Sequence, residues 1–110
     1  MMQMNQVQQR INQIEQCADE AMAAVRSGNA PDDLRQRVNE MHSKARAAKQ
    51  MCGTQAGNDE SQVVRTVDDL EQAGDRAMQA CRKAGSVDPQ VSSAVQRAHD
   101  EISSLKKQLH

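Results

Sequence analysis

Phenylalanine, tyrosine and tryptophan are absent from this chain. That removes the residues that anchor most tight protein interfaces, and the stacking platforms that hold single-stranded nucleic acid. Long apolar runs are missing as well. No stretch approaches the roughly 20 apolar residues of a membrane span. The opening MMQMNQVQQR has no basic leader followed by a continuous apolar run, so it does not read as a secretory signal, and the cytosol is the expected compartment. Neither sign of charge dominates. Fourteen basic and 15 acidic side chains leave a formal net charge of −1, so no global field draws DNA, RNA or an anionic membrane. The three cysteines are odd in number, which argues against a closed disulfide framework.

What the chain does have is periodicity. Val7, Ile11, Ile14, Ala18, Ala21 and Val25 are spaced four, three, four, three, four, as on one helix face that keeps a neighbour. The spacing recurs at Leu34, Val38, Met41, Ala45, Ala48 and Cys52, at Val63, Val67, Leu70, Gly74, Ala77 and Cys81, and at Val91, Val95, Ala98, Ile102, Leu105 and Leu109. The expected fold is therefore all-α, an antiparallel up-down-up-down four-helix bundle in a single domain.

Turn chemistry sets the boundaries. The first helix is expected over 4–27, with Gly28 as its left-handed terminator. Pro31 opens the second, which runs to Cys52, with Asp32 and Asp33 at the positive end of its dipole. Residues 53–58 carry two glycines and no large apolar side chain, and read as a flexible linker. Asp59 and Gln62 have capping-box spacing at the start of the third helix, which stops at Gly85. Asp88 caps the fourth helix and Pro89 opens it.

The two halves look duplicated. Ile14-Glu15-Gln16 corresponds to Leu70-Glu71-Gln72, Asp19 to Asp75, Ala21-Met22 to Ala77-Met78 and Arg26 to Arg82. Past one extra residue in the second turn, Val38 corresponds to Val95 and His42 to His99. The unit is thus an αα-hairpin, 4–52 and again 59–109. Folding the hairpins together predicts core layers of one residue per helix. Val25, Leu34, Cys81 and Val91 form the layer at the turn end, and Ile11, Ala48, Val67 and Leu105 lie near the other end. In the third layer Met41 is the only large side chain, beside Ala18, Gly74 and Ala98.

Candidate chemistry is sparse. His42 and His99 directly follow core residues, and with Met22, Met78, Cys17 or a nearby acid they have the donor types for a soft or borderline metal. No HxxxH, CxxC or ExxH spacing accompanies them, so the plainer reading is a pair of boundary residues copied by duplication. Met1, Met2 and Met4 have thioethers suited to Cu(I), but read more simply as a frayed end. Cys52 and Cys81 fall in the core stripes. Cys17 lies beside the stripe; all three read as structural thiols, with intermolecular oxidation through Cys17 as the alternative. The second helix is locally basic through Arg35, Arg37, Lys44, Arg46 and Lys49. It is expected to face the acidic third helix, or else an anion such as a nucleic-acid phosphate. No glycine-rich phosphate loop, nucleophile–base pair or convergent carboxylate pair stands out, so neither an enzyme nor a cofactor is expected.

The Gln-rich opening MMQMNQVQQRINQIEQC and the Arg/Ala-rich body resemble, in texture, small helical proteins of proteobacteria. The resemblance covers most of the chain, rests on no specific motif and transfers no functional residue. The expected role is a non-enzymatic interaction or structural module, with a protein partner or a second copy as its target. A metal or small-ligand site at the His42/His99 shoulder and anion binding through the second helix are the alternatives.

Overall fold

A computed structural model describes residues 4–28, 30–52, 60–85 and 87–109. It contains four helices: α1 (Met4–Ser27), α2 (Asp32–Cys52), α3 (Glu60–Ala84) and α4 (Pro89–Leu109). The expected linker 53–58 and the Asp59 half of the capping box lie outside the described residues.

The helix ends follow local chemistry. The Pro31 carbonyl accepts the Arg35 N–H at 3.0 Å, so Pro31 caps α2 rather than opening it, and Asp32 and Asp33 occupy the first turn. Asp88 caps α4. Its Oδ1 accepts the Gln90 N–H at 3.0 Å and its carbonyl accepts the Val91 N–H at 2.9 Å. Gly85 takes the left-handed conformation (φ 71°) expected after α3. Gly28 does not. Its N–H continues the helical pattern, bonding the Ala24 carbonyl at 2.9 Å. Crowding explains its glycine instead: a Cβ there would lie 3.1 Å from the Ala24 carbonyl oxygen and 3.4 Å from Asp88 Oδ2. The first and third turns therefore meet at one end of the molecule.

The helices close a ring in which α1 packs on α2 and α4, and α3 packs on α2 and α4. The described residues measure 41 × 21 × 17 Å, the length of one helix by the width of a paired layer. In every pair, partner numbers fall as residue numbers rise. Glu15 and Asp19 of α1 meet Lys49 and His42 of α2. Arg10 and Glu20 of α1 meet Glu101 and Arg97 of α4. Glu40 of α2 meets Arg76 of α3, while Met51 of α2 accepts a hydrogen bond from Thr66 of α3. Glu71 and Asp75 of α3 meet Lys106 and His99 of α4.

The core is the four stripes. Val7, Ile11, Ile14, Leu34, Met41, Val63, Val67, Leu70, Ile102 and Leu105 are among the fully buried side chains, and no charged or polar residue is buried among those described. Cys52, Cys81 and Leu109, the last stripe positions of α2, α3 and α4, are only half-buried, while Val7, Val63, Leu34 and Val91 of the same layers are fully buried. Ala73, Ala80 and Ala94 join the core from positions flanking the stripes. Such small residues at the seams let the helix axes approach. Gly74 does the same at one level, since a Cβ there would come within 3.3 Å of Ile102 Cδ1.

Candidate functional site

Asp19 and His42 sit one residue after Ala18 and Met41; Asp75 and His99 sit one residue after Gly74 and Ala98. That step carries the side chain from the core to its shoulder. In the structure His42 Nε2 is hydrogen-bonded to Asp19 Oδ1 across α1 and α2. His99 Nε2 is bonded to Asp75 Oδ1 at 2.6 Å across α3 and α4, and its Nδ1 lies 3.8 Å from Asp100. Two residues that correspond between the halves are thus paired with two others that correspond, and both pairs flank the predicted third layer. The signal lay in the sequence as two separate matches, Asp19 with Asp75 and His42 with His99.

Each histidine is engaged by its own carboxylate over a different helix pair. They do not converge on a common point, and no group of three or more His, Cys, Asp or Glu among the described residues is arranged to hold a metal. Cys17 does not join either histidine. Its thiol faces the α1/α4 seam, where burial first, then Glu20 and Glu101, push its pKa up against the smaller opposing pull of Arg97. Burial likewise pushes up the Cys52 and Cys81 thiols. All three cysteines are free, and each is held toward the protonated, unreactive form. Of the candidate Met1, Met2 and Met4 thioethers, Met1 and Met2 lie outside the described residues, and Met4 is described only as the first residue of α1.

The basic side chains of α2 divide. Arg37 pairs with Asp33 at 3.7 Å and Glu40 at 3.6 Å on its own helix. Lys49 reaches Glu15 of α1 at 3.9 Å. Lys44 and Arg46 are exposed. Asp59 and Glu60 of the expected match between basic α2 and acidic α3 fall outside the described side chains, and no such pair is seen among the described residues. The Glu40–Arg76 pair across that seam has the opposite polarity, at 3.9 Å. The acids Asp68, Glu71 and Asp75 of α3 turn to α4 instead, where the Glu71 hydrogen bond raises the Lys106 pKa, with the charges of Glu71, Asp68 and Asp75 adding to it. A helix has two flanks, and charge totals do not say which flank meets which neighbour.

Arg35 of α2 lies in a groove with a second arginine and no carboxylate, whereas Arg37, which shares a groove with Arg76, has Asp33 beside it. Met22, Val25 and Arg26 of α1 and Arg35, Gln36 and Asn39 of α2 line a cleft of about 440 Å³ near the first turn. Arg26 was not legible as a site residue, because only the crossing of the two helices places it opposite Arg35.

A separate feature marks α1. Over its first half the exposed side chains are Asn5, Gln6, Gln8, Gln9, Gln13 and Gln16, all uncharged amides. The charged residues of that stretch are turned to neighbouring helices. Arg10 donates to Ser104 at 2.9 Å, and Glu15 faces Lys49. By contrast Arg35, Lys44 and Arg46 are exposed on α2, Arg65, Asp69 and Arg76 on α3, and Arg97, Asp100 and Lys107 on α4. No helix among the described residues is long and apolar enough to cross a membrane. No family model matches this chain, nor does any curated protein or solved structure.

Proposed function

We propose that this chain is a non-enzymatic, cytosolic interaction module that associates with a second copy of itself through the outer face of α1. It is a single domain, an antiparallel up-down-up-down bundle of two duplicated αα-hairpins, 4–52 and 59–109, joined by a flexible linker at 53–58. The falling partner numbers at every seam support that topology. The duplication is supported by the matched histidine–aspartate pairs, 23 residues apart in the first hairpin and 24 in the second, as the one-residue difference between the two turns requires.

The amide face of α1 carries the functional reading. A glutamine side chain is both donor and acceptor, so an amide face complements a copy of itself. Two-fold pairing brings each residue near its own equivalent, and an uncharged face does this without like-charge repulsion. The contact is weak. Each exposed amide hydrogen bond adds a net ~0.5–1.5 kcal/mol, against an association cost of at least ~4 kcal/mol. Self-association in the high-micromolar to millimolar range follows, which suits a reversible module. Sedimentation equilibrium over that range tests it. The mass should rise with concentration, and the double variant Gln9→Lys/Gln13→Lys should stay monomeric with an unchanged circular dichroism spectrum. A wild-type protein that remains monomeric near about 1 mM would remove the reading.

A further inference from the structure

Four surface grooves of this bundle can be compared by their charge. The α1/α4 groove contains Glu20 beside Arg97, the lower α1/α2 groove contains Glu15 beside Arg46 and Lys49, and the α2/α3 groove contains Asp33 among Arg37, Arg76 and Lys83. The upper α1/α2 groove has no carboxylate in its lining. Arg26 and Arg35 there make no ion pair with any described residue, as is also true of Arg46, Arg65 and Arg82 elsewhere, whereas Arg10, Arg37, Arg76 and Arg97 are each paired. Two unneutralised guanidinium groups therefore flank one cleft.

The rest of the lining has a direction. Gln36 and Asn39 add amide donors on the α2 side. Met22, half-buried, and Val25, 2% exposed, form an apolar floor on the α1 side. The duplicated register supplies an internal comparison. In the second hairpin Met78, Cys81 and Arg82 correspond to Met22, Val25 and Arg26, but Ser92 stands where the first has Arg35. The two-arginine arrangement thus belongs to the first hairpin alone.

We infer that this groove binds a small phosphate monoester carrying a short aliphatic chain. Guanidinium forks donate pairs of parallel N–H bonds to oxyanions, and two of them match the double charge and three terminal oxygens of a phosphate monoester. A carboxylate offers half the charge and two oxygens. The aliphatic part covers Met22 and Val25, and the cleft's volume falls within the range of small-molecule sites. The site is shared with neither the amide face of α1 nor the self-association argued from it. Both arginines are exposed, so binding weakens as salt screens them.

The test is a titration followed by amide NMR shifts at low salt, using n-butyl phosphate, inorganic phosphate and n-butanoate as separate probes. Butyl phosphate should give saturable shifts concentrated at residues 22–26 and 35–39. Inorganic phosphate and butanoate should each bind more weakly, by about fivefold or more. Arg35→Ser, which copies the second hairpin, should weaken butyl phosphate about tenfold, and Arg26→Ser similarly. Arg82→Ser should leave it unchanged. These surface substitutions leave the core intact, and unshifted resonances elsewhere verify that. The inference is overturned if butyl phosphate gives no saturable shift up to about 10 mM. Equal affinity for Arg35→Ser and the unaltered protein overturns it too, as does butanoate or inorganic phosphate binding as tightly as the ester.

Discussion

Replacing Met41 by alanine should destabilise the fold by about 3–4 kcal/mol. Met41 is wholly buried at mid-length of α2. The His42–Asp19 pair puts it at the level of Ala18, Glu40–Arg76 brings α3 alongside near Gly74, and His99–Asp75 sets Ala98 beside Gly74. Ala18, Gly74 and Ala98 are all small and all buried. Cutting the side chain back to Cβ loses roughly 1.5–2 kcal/mol of transfer free energy. It also opens about 70 Å³, which at ~24 cal/mol per Å³ adds about 1.7 kcal/mol if the space stays open. Its alanine and glycine layer neighbours have no length with which to fill it, and Ile102, whose δ-methyl lies over Gly74, would have to leave its own packing to do so. Met22 and Met78 are half-buried at the shoulder, so the same truncation there should cost under about 1.5 kcal/mol. Urea unfolding followed by far-UV circular dichroism measures all three, with an unchanged m-value confirming that the same surface unfolds. A Met41→Ala loss below about 1 kcal/mol, or one equal to that of Met22→Ala, would refute the placement of this side chain among small neighbours.

Gly74→Ala sets two effects against each other. Helix propensity favours alanine by about 1 kcal/mol, while the new Cβ meets Ile102 Cδ1 at 3.3 Å, a methyl at the end of a rotatable side chain. A net gain near 0.5 kcal/mol is expected, and a loss above about 1 kcal/mol in urea unfolding would mean that Ile102 cannot yield. Asp88→Ala removes the acceptor for the Gln90 N–H and should cost about 0.5–2 kcal/mol, with Asp88→Asn retaining most of the stability. The buried thiols predict an alkaline decline. Their folded pKa values lie above the unfolded value, so the stability they contribute is complete below the ordinary value of 9.0 and is lost as the pH rises past it toward the folded values. The raised Lys106 pKa extends the loss above 10.5 with the same sign. The urea midpoint should therefore fall between pH 8 and pH 10, and the double variant Cys52→Ala/Cys81→Ala should flatten that fall. A midpoint that holds or rises over this interval would contradict the assignment.

Much of the architecture was readable because the core is built from one rule applied along each helix. A side chain every three or four residues must leave water, and residues that obey the rule, such as Ile11, Val38, Val67 and Val95, are fully buried. The rule weakens at Cys52, Cys81 and Leu109, the last stripe positions of α2, α3 and α4, which are only half-buried. It also omits Ala73, Ala80 and Ala94, whose burial depends on how closely two axes approach. Gly28 and Gly85 were both read as helix terminators, but only Gly85 supplies a left-handed turn; Gly28 allows a close passage beside Asp88, and Gly74, read as a core position, leaves room for Ile102. The site was less legible. His42 and His99 stood out, but their carboxylate partners lie a helix away, and only the crossing of α1 and α2 selects Arg26 and Arg35 from the basic residues. Local pattern decides what a helix buries, while the register between helices decides which exposed side chains meet.

That register is most directly measured by methyl NOEs on the protein in solution. Ile11 should show contacts to Leu105 of α4, and none to Leu34 or Val91 at the turn end. Leu34 should show contacts to Val25. An Ile11–Leu34 contact would require α1 and α2 to run side by side in the same direction, and that single cross-peak would contradict the duplicated-hairpin account.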